Sequence, residues 1–141
     1  MKGIIIICTL LALANAGLRL DNLEQQEGSS CMQNPVFVVS SFDVQPWPPT
    51  SNINLAVNMT GTFNRDAYVN QLQVGTNYNR QQWHYQHYNV NENFSKGQTN
   101  SFTFSINSGQ YGGSYVQQVT LSTQDHQQYQ HLTCWQFNYQ L

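Results

Sequence analysis

The last eight residues, Cys134-Trp135-Gln136-Phe137-Asn138-Tyr139-Gln140-Leu141, alternate between large apolar side chains and amides after the cysteine. Successive side chains of a β-strand point to opposite faces, so this run predicts a final strand with one buried and one solvent-facing side. Cys134 falls on the amide-bearing side, away from Trp135. A bond from Cys134 to Cys31 would therefore fasten the start of the domain to its end without occupying the interior.

The first sixteen residues have the organisation of a secretory signal peptide. Lys2 supplies the positive start, residues 4–13 the apolar run, and Ala14-Asn15-Ala16 the small-residue cleavage site. The apolar run is about half of the roughly 20 residues that a membrane-crossing helix needs, and an uncleaved anchor is the alternative interpretation. Cleavage would leave residues 17–141 as a product that is secreted or held in an endomembrane or lysosomal lumen.

Cleavage would also remove Cys8, one of the three cysteines in the chain. The two that remain predict a single disulfide, Cys31–Cys134, in an oxidising compartment. Two buried free thiols are the alternative. Neither cysteine has a partner at metal-ligand spacing, so we expect no zinc site.

Formal charge is scarce, with five Lys and Arg against seven Asp and Glu in 141 residues. A chain without a basic patch cannot follow a phosphate backbone, so we expect no nucleic-acid partner. Solubility then rests on amides and on sugar. Asn58-Met59-Thr60 and Asn93-Phe94-Ser95 are acceptor sequences for N-glycosylation, although such triplets also arise by chance in an asparagine-rich chain.

Alternating runs predict an all-β domain. Residues 17–30 end in Gly-Ser-Ser, lack aromatic side chains and predict a short, poorly ordered lead-in to a domain over 31–141. The predicted strands are 36–44, 52–63, 67–78, 82–88, 101–106, 115–122 and 132–141, separated by polar segments over 89–100, 107–114 and 123–130. About seven short strands without a helical period are typical of an antiparallel β-sandwich of immunoglobulin-like type.

Motifs for covalent chemistry are missing from the sequence. There is no Gly-x-Ser-x-Gly elbow, no phosphate-binding glycine loop and no His-Glu-x-x-His. His84 and His87 lie three apart in a predicted strand, so they face opposite ways and cannot chelate one ion together. We therefore expect neither enzymatic activity nor a metal or other cofactor.

Several short pieces follow one another between Cys31 and Leu141. They are Phe42-Asp43-Val44-Gln45-Pro46-Trp47-Pro48, the Asn-x-Thr-bearing strand 57–63, Val74-Gly75, Lys96-Gly97-Gln98-Thr99 before Phe102-Thr103-Phe104, and Cys134-Trp135-Gln136-Phe137. In this order they resemble the ML lipid-recognition family, which includes the Niemann–Pick type C sterol carrier and the ganglioside activator protein. The resemblance implies two splayed sheets with an apolar cavity that holds a lipid tail or sterol, and no covalent chemistry. Trp47 stands where the sterol carriers usually have a further cysteine, so sterol, phospholipid and glycolipid all remain open as ligands.

The resemblance and the strand pattern together predict a set of cavity residues. By position, the cavity residues of the sterol carriers fall at Trp83 (or Tyr85), Ile106 and Tyr111. Inward facing on the predicted strands adds Val57, Phe63, Phe104, Val119, Leu121 and Trp135. Tyr111 lies in a glycine-rich loop, where guarding a cavity mouth is the expected role. Periodicity cannot distinguish a hollow interior from one filled by these rings, so a filled core is the alternative.

The sequence therefore predicts a secreted or lumenal lipid-binding or lipid-transfer protein that holds a sterol or acyl chain between two sheets. We also expect a transient contact with a membrane or a receptor. Trp83→Ala or Phe104→Asp is expected to abolish lipid retention, whereas Gln118→Ala is not. The alternative is a structural or adhesive secreted immunoglobulin-like module with a filled core and amide-rich contact surfaces.

Overall fold

The computed structural model describes residues 27–141 as eight strands in two antiparallel sheets. The strands are β1 (Ser29–Ser30), β2 (Phe37–Gln45), β3 (Asn54–Phe63), β4 (Ala67–Tyr78), β5 (Trp83–Phe94), β6 (Thr99–Asn107), β7 (Ser114–Asp125) and β8 (Gln128–Gln140). One sheet has the order β1-β8-β7-β4-β5 and the other β2-β3-β6. The predicted all-β antiparallel sandwich is confirmed, with the two-residue β1 as an additional strand. The predicted signal peptide, 1–16, lies outside the described residues.

The smaller sheet is built from strict alternation. In β3, Leu55, Val57 and Met59 are at most 1 % exposed, while the residues between them face solvent. The β3–β6 register sets these three side chains opposite Ile106, Phe104 and Phe102, which continue the same apolar face. Side chains directly opposite one another in a sheet share a face, so this sheet has one buried surface.

The larger sheet presents a matching inner face. Cross-strand rows join Val74 of β4 to Val119 of β7 and Trp135 of β8, and all three side chains are buried. Leu72 and Leu121 form a neighbouring row. These rows meet the apolar face of the smaller sheet, and the two faces together form the core.

Two segments that were expected to be polar loops are strands. β5 continues to Phe94, and β7 and β8 form a hairpin that turns only at His126 and Gln127. Their polar, exposed side chains carry no apolar alternation, so the pattern gave no signal for them. Main-chain pairing in the ladder extends these strands beyond the core.

The two ends of the domain are joined as predicted. Cys31 and Cys134 form the disulfide, and the Cys31 amide donates a 3.0 Å hydrogen bond to the Cys134 carbonyl. Most of the predicted lead-in lies outside the described residues, but its last four are ordered: β1 pairs with β8, and the Trp135 indole donates a 2.8 Å bond to the Glu27 carbonyl. The domain therefore begins before Cys31. Over residues 27–141, no helix is long and apolar enough to span a membrane.

Candidate functional site

Seven of the ten predicted cavity residues lie on the two inner faces. The smaller sheet supplies Val57, Phe63, Phe104 and Ile106, and the larger sheet supplies Val119, Leu121 and Trp135. Six of the seven are buried, and Phe104 is half-buried. The structure thus brings these residues to one inter-sheet space.

The centre of that space is packed. Phe63 stacks on Phe94 with ring centroids 4.5 Å apart, and it also contacts Phe37 at 4.8 Å. Phe37, Phe63, Val119 and Leu121 have no solvent exposure. A void large enough for water would leave the atoms that line it accessible, so no such void adjoins these side chains. The open apolar cavity implied by the resemblance is therefore not present around them.

The two sheets are not held together equally on both sides. On one side, β2 packs on β8 of the opposite sheet: Phe42 of β2 stacks on Trp135 and packs against Phe137 of β8. β5 and β6 lie at the other side, where each pairs with a single neighbour and ends its sheet. We call the gap between these two edge strands the β5/β6 edge.

Aromatic side chains close the β5/β6 edge: near one end Phe94 of β5 packs against Phe102 of β6, and farther along Tyr88 meets Phe104. The Tyr88 hydroxyl of β5 donates a 2.9 Å hydrogen bond to the Ser105 carbonyl of β6, and the Tyr88 and Phe104 rings lie 6.2 Å apart. Tyr88 is 37 % exposed although its row neighbour Leu72 is buried, because a sheet of three strands does not fully cover one of five. The inner side of β5 is therefore exposed at this part of the edge.

The prediction that Trp83 and Tyr85 face inward is wrong. The β4–β5 register sets Tyr85 opposite Gly75 and Trp83 opposite Asn77, and Gly75 lies on the face opposite to the inward-pointing Val74. Both rings therefore lie on the outer face of the larger sheet. Alternation correctly indicated that they share a face, but it could not indicate which face is buried.

Because Trp83 and Tyr85 face outward, the alternate residues of β5 face inward, and sequence reasoning did not predict them. His84, Gln86 and Tyr88 share rows with Thr76, Val74 and Leu72, and all three are exposed at the β5/β6 edge. The sequence contained a signal for this orientation, since Tyr88 is three residues from Tyr85 and must face the opposite way. The prediction followed Trp83 and Tyr85 instead, because two aromatic side chains favoured that face as the buried one.

Tyr111 lies in the loop between β6 and β7 and is 68 % exposed. Its backbone carbonyl accepts a 2.9 Å hydrogen bond from the Tyr115 hydroxyl, which ties the loop to the sandwich. Its side chain is not among those that form the core. A role for Tyr111 at a cavity mouth stays a prediction.

A chain of side-chain hydrogen bonds, which we call the internal polar line, crosses the interior near that loop. Thr76 donates to the buried Gln117 side chain at 2.7 Å, Gln117 donates to the Tyr139 hydroxyl at 2.9 Å, and Tyr139 donates to the Ser108 carbonyl at 2.9 Å. Burial raises the pKa of the Tyr139 phenol; the Gln117 hydrogen bond lowers it and nearby Tyr115 raises it. The buried Gln117 and Tyr139 side chains are thus hydrogen-bonded, as polar groups inside a core require.

Comparison with known families assigns this architecture. The ML-domain family model matches residues 26–141, which includes every strand described above. The chain belongs to the ML-domain family. ML domains are generally non-enzymatic and bind lipids, so the family agrees with the apolar inter-sheet faces found here.

A solved structure of another protein has a similar fold. A crystal structure of the C-terminal domain of wzt is similar to this ML domain with a TM-score of 0.66 and 15% identity, over 81% of this chain and 77% of that chain. At that identity the likeness shows the fold alone. No curated protein matches the sequence.

Among the surface clefts formed by residues 27–141, three have volumes of about 250–360 Å³, and no predicted cavity residue lines any of these three. Two adjoin Asp66 to Tyr68, and the third lies beside Glu27, Asp43 and Trp47. One carboxylate oxygen of Glu27 is buried and has no hydrogen-bond partner among the described residues. Burial, and then the charge of Asp43, raise the pKa of Glu27.

The histidines of the ML domain are dispersed. His84 and His87 lie on opposite faces of β5, in rows with Thr76 and Gln73, as the spacing predicted. His131 contacts Ser122 at 3.1 Å, and the exposed His126 lies 3.3 Å from its neighbour Asp125. Within residues 27–141 no group of three His, Cys, Asp or Glu side chains is arranged to hold a metal ion.

Both glycosylation sequences are on the surface of the ML domain. Asn58 is exposed on the outer face of the smaller sheet, opposite Asp43 and Thr103, and Asn93 is exposed near the end of β5. Glycans at either position would project into solvent. Their occupancy stays a prediction.

Proposed function

We propose that this ML domain is a secreted or lumenal lipid carrier that holds an acyl chain or sterol between its two sheets. The observation that carries the proposal is the unequal closure of the sandwich. Phe42 stacks on Trp135 and joins β2 to β8. At the β5/β6 edge, Phe94 packs on Phe63 and Phe102 near one end, whereas farther along only the exposed Tyr88 and the half-buried Phe104 are seen to cover the apolar interior. Family membership supplies the ligand class.

A lipid tail enters at the β5/β6 edge by displacing Phe104 and Tyr88. Behind them lie Val57, opposite Phe104 in β3, and Leu72, beside Tyr88 in β4. Burial of an apolar tail against these residues contributes about 25 cal/mol per Å² of apolar surface before the losses of association are subtracted. That gain offsets the contacts broken at the edge, whereas opening between β2 and β8 would separate a larger aromatic stack.

The polar end of the lipid stays at the edge. Gln86 and His84 line the exposed inner side of β5, next to Tyr88, and can exchange hydrogen bonds with a head group or a sterol hydroxyl. This arrangement places the polar end in water and the tail in the core. It does not select between a sterol, a phospholipid and a glycolipid.

Phe104→Asp tests the proposal, with Thr103→Asp as the matched control. The two residues are adjacent in β6, but Phe104 points between the sheets and Thr103 outward, beside Asn58. We expect Phe104→Asp to abolish binding of a fluorescent sterol and a fluorescent fatty acid, because a charge in an apolar site is costly. Thr103→Asp should bind as the wild type does. Unchanged binding by folded Phe104→Asp protein would contradict the proposal, and Phe104→Ala provides a second variant if the aspartate prevents folding.

The packed centre of the sandwich favours the second candidate function, a structural or adhesive module with a filled core. Organic extraction of protein purified from its native source, followed by mass spectrometry, distinguishes the two. A stoichiometric lipid supports the carrier. Repeated absence of lipid, together with no uptake of the two fluorescent probes, supports the module.

Export is tested separately. Expression of residues 1–141 in a eukaryotic secretory host should release protein into the medium with Gly17 as its first residue. A mass loss on enzymatic removal of N-glycans, abolished by Asn58→Gln or Asn93→Gln, would identify which sequence is occupied. Retention of the chain in the cytosol would contradict the secreted or lumenal location.

A further inference from the structure

The outer face of the larger sheet carries an aromatic pair among uncharged side chains. Trp83 and Tyr85 lie on β5 with nearly parallel rings, 13° between planes and 6.3 Å between centroids. Tyr85 is 52 % exposed, although both rings lie within a strand. We call this pair and its neighbours on the face, Gln73, His87, Gln118 and Gln136, the outer aromatic face.

Gly75 shapes this surface. It lies directly opposite Tyr85, and a Cβ at Gly75 would be 2.8 Å from the Tyr85 ring and 3.1 Å from the Trp83 ring. The missing side chain allows both rings to reach over the β4 backbone. Tyr85 is exposed and the half-buried Trp83 lies beside it, so a ligand on this face meets both side chains.

The rows beside the pair are polar but carry no formal charge. The Tyr85 row continues through Gly75, Gln118 and Gln136, and the Trp83 row through Asn77, Val116 and Asn138. The His87 row continues through Gln73, Thr120 and Cys134. No Asp, Glu, Lys or Arg occurs in these three rows, although exposed sheet faces usually carry charges.

The amides on this face are available to a ligand. Among the described residues, the glutamine side chains that form hydrogen bonds are those of Gln45, Gln98 and Gln117. None of the three lies on the outer aromatic face. The amides of Gln73, Gln118 and Gln136 therefore present donors and acceptors on the side of the rings where β4, β7 and β8 lie.

We propose that the outer aromatic face binds a neutral oligosaccharide of β-linked, gluco-configured pyranoses. Such sugars have equatorial hydroxyls and a flat face of axial C–H bonds. The C–H face packs on the negative face of an aromatic ring, and adjacent hydroxyls accept from and donate to side-chain amides. An uncharged face matches an uncharged glycan, and it offers no cation to a nucleic acid or an anionic membrane.

This site is independent of the proposed lipid function, because Trp83 and Tyr85 lie on the opposite side of the sheet from the core. Titration calorimetry with cellohexaose and with the hexamer of N-acetylglucosamine tests it directly. We expect wild-type protein to bind at least one of the two. Trp83→Ala and Tyr85→Ala should each weaken that binding about tenfold, the order expected for loss of one aromatic contact. Tyr85→Phe, which keeps the ring, should retain most of it.

Tyr129→Ala is the matched control, since Tyr129 is also 52 % exposed but lies in the β7–β8 hairpin. It should bind the oligosaccharide as the wild type does, and circular dichroism should show all variants folded. Folded Phe104→Asp protein should retain oligosaccharide binding, which separates a free glycan from the head group of a lipid held between the sheets.

Three outcomes would overturn the proposal. The first is that wild-type protein binds neither hexasaccharide, and the second is that Trp83→Ala and Tyr129→Ala bind equally. The third is that Trp83→Ala instead abolishes binding to neutral phosphatidylcholine vesicles or dissociates a dimer in sedimentation. That result would assign the face to a membrane or to a second copy of the chain.

Discussion

The Tyr88 hydroxyl of β5 donates a 2.9 Å hydrogen bond to the Ser105 carbonyl of β6, and so links the free edges of the two sheets. The Tyr88 ring also packs against Phe104, the half-buried residue opposite Val57 in the smaller sheet. One side chain thus contributes both a polar and an apolar contact between β5 and β6. Opening of this edge should therefore depend on Tyr88.

Tyr88→Phe should accelerate both lipid uptake and lipid release by about two- to threefold. The change removes the hydroxyl and keeps the ring, and an exposed neutral hydrogen bond contributes about 0.5 kcal/mol. Because closed and opened edges interconvert in both directions, the equilibrium affinity should change less than the rates. Stopped-flow fluorescence with a fluorescent fatty acid measures both rates. Rates equal to those of the wild type, with lipid still bound, would exclude this edge as the entrance.

The sequence predicted the sandwich because alternation is strongest where one face is buried. β3 and β6 alternate cleanly, and their apolar residues face inward as expected. The Cys31–Cys134 bridge was likewise evident from two cysteines near the ends of the domain.

The same reasoning predicted the wrong buried face for β5. Its exposed edge position removes the apolar signal from both faces, so alternation gives the period but not the buried side. Trp83 and Tyr85 were therefore predicted to be core residues. In the structure their rings lie over Gly75 on the outer face of the larger sheet. Three-dimensional packing decides whether the rings fill the interior, and an alternating sequence pattern does not predict that packing.

Gln117→Leu should lower the free energy of unfolding by about 1–3 kcal/mol. Leucine is similar in size to glutamine, but it removes the hydrogen bond that the buried Tyr139 hydroxyl accepts and the acceptor of the half-buried Thr76 hydroxyl. It should also raise the pKa of Tyr139 further, since the Gln117 hydrogen bond lowers that pKa in the folded protein. Urea unfolding and ultraviolet titration of tyrosine measure the two effects.

Gln118→Leu is the control, because the adjacent side chain lies on the outer face. Its effect on unfolding should stay within about 0.5 kcal/mol, as for most surface substitutions. Equal destabilisation by the two variants would show that the internal polar line contributes nothing specific.

Replacement of both Cys31 and Cys134 by Ser should destabilise the domain by about 2–5 kcal/mol. The bridge closes a loop with a sequence separation of 103 residues, and its removal restores conformational freedom to the unfolded chain. The Cys31–Cys134 backbone hydrogen bond remains, so the fold should persist in the cold. Thermal unfolding with and without reductant measures the loss. A reductant-insensitive wild-type melting temperature, with free thiols detected, would contradict this contribution.

Glu27→Gln should stabilise the domain at neutral pH and not in acid. Burial of the carboxylate, and then the charge of Asp43, raise the pKa of Glu27 above its ordinary value. A group whose folded pKa is raised contributes stability below its unfolded pKa, and that contribution is lost as pH rises through the folded pKa. The ionised carboxylate therefore opposes folding at neutral pH, where an uncharged amide does not.

The expected gain at pH 7 is about 0.2–1 kcal/mol, because Glu27 is only partly buried and solvent screens its charge. Below the ordinary glutamate pKa, near 4, both side chains are neutral and the difference should vanish. Thermal unfolding of both proteins between pH 3.5 and pH 7.5 measures it, with Asp43→Asn as a control that removes only the second cause and should give a smaller gain. A Glu27→Gln variant that is less stable than the wild type at pH 7, or shifted equally at every pH, would refute the assignment of the raised pKa to this carboxylate.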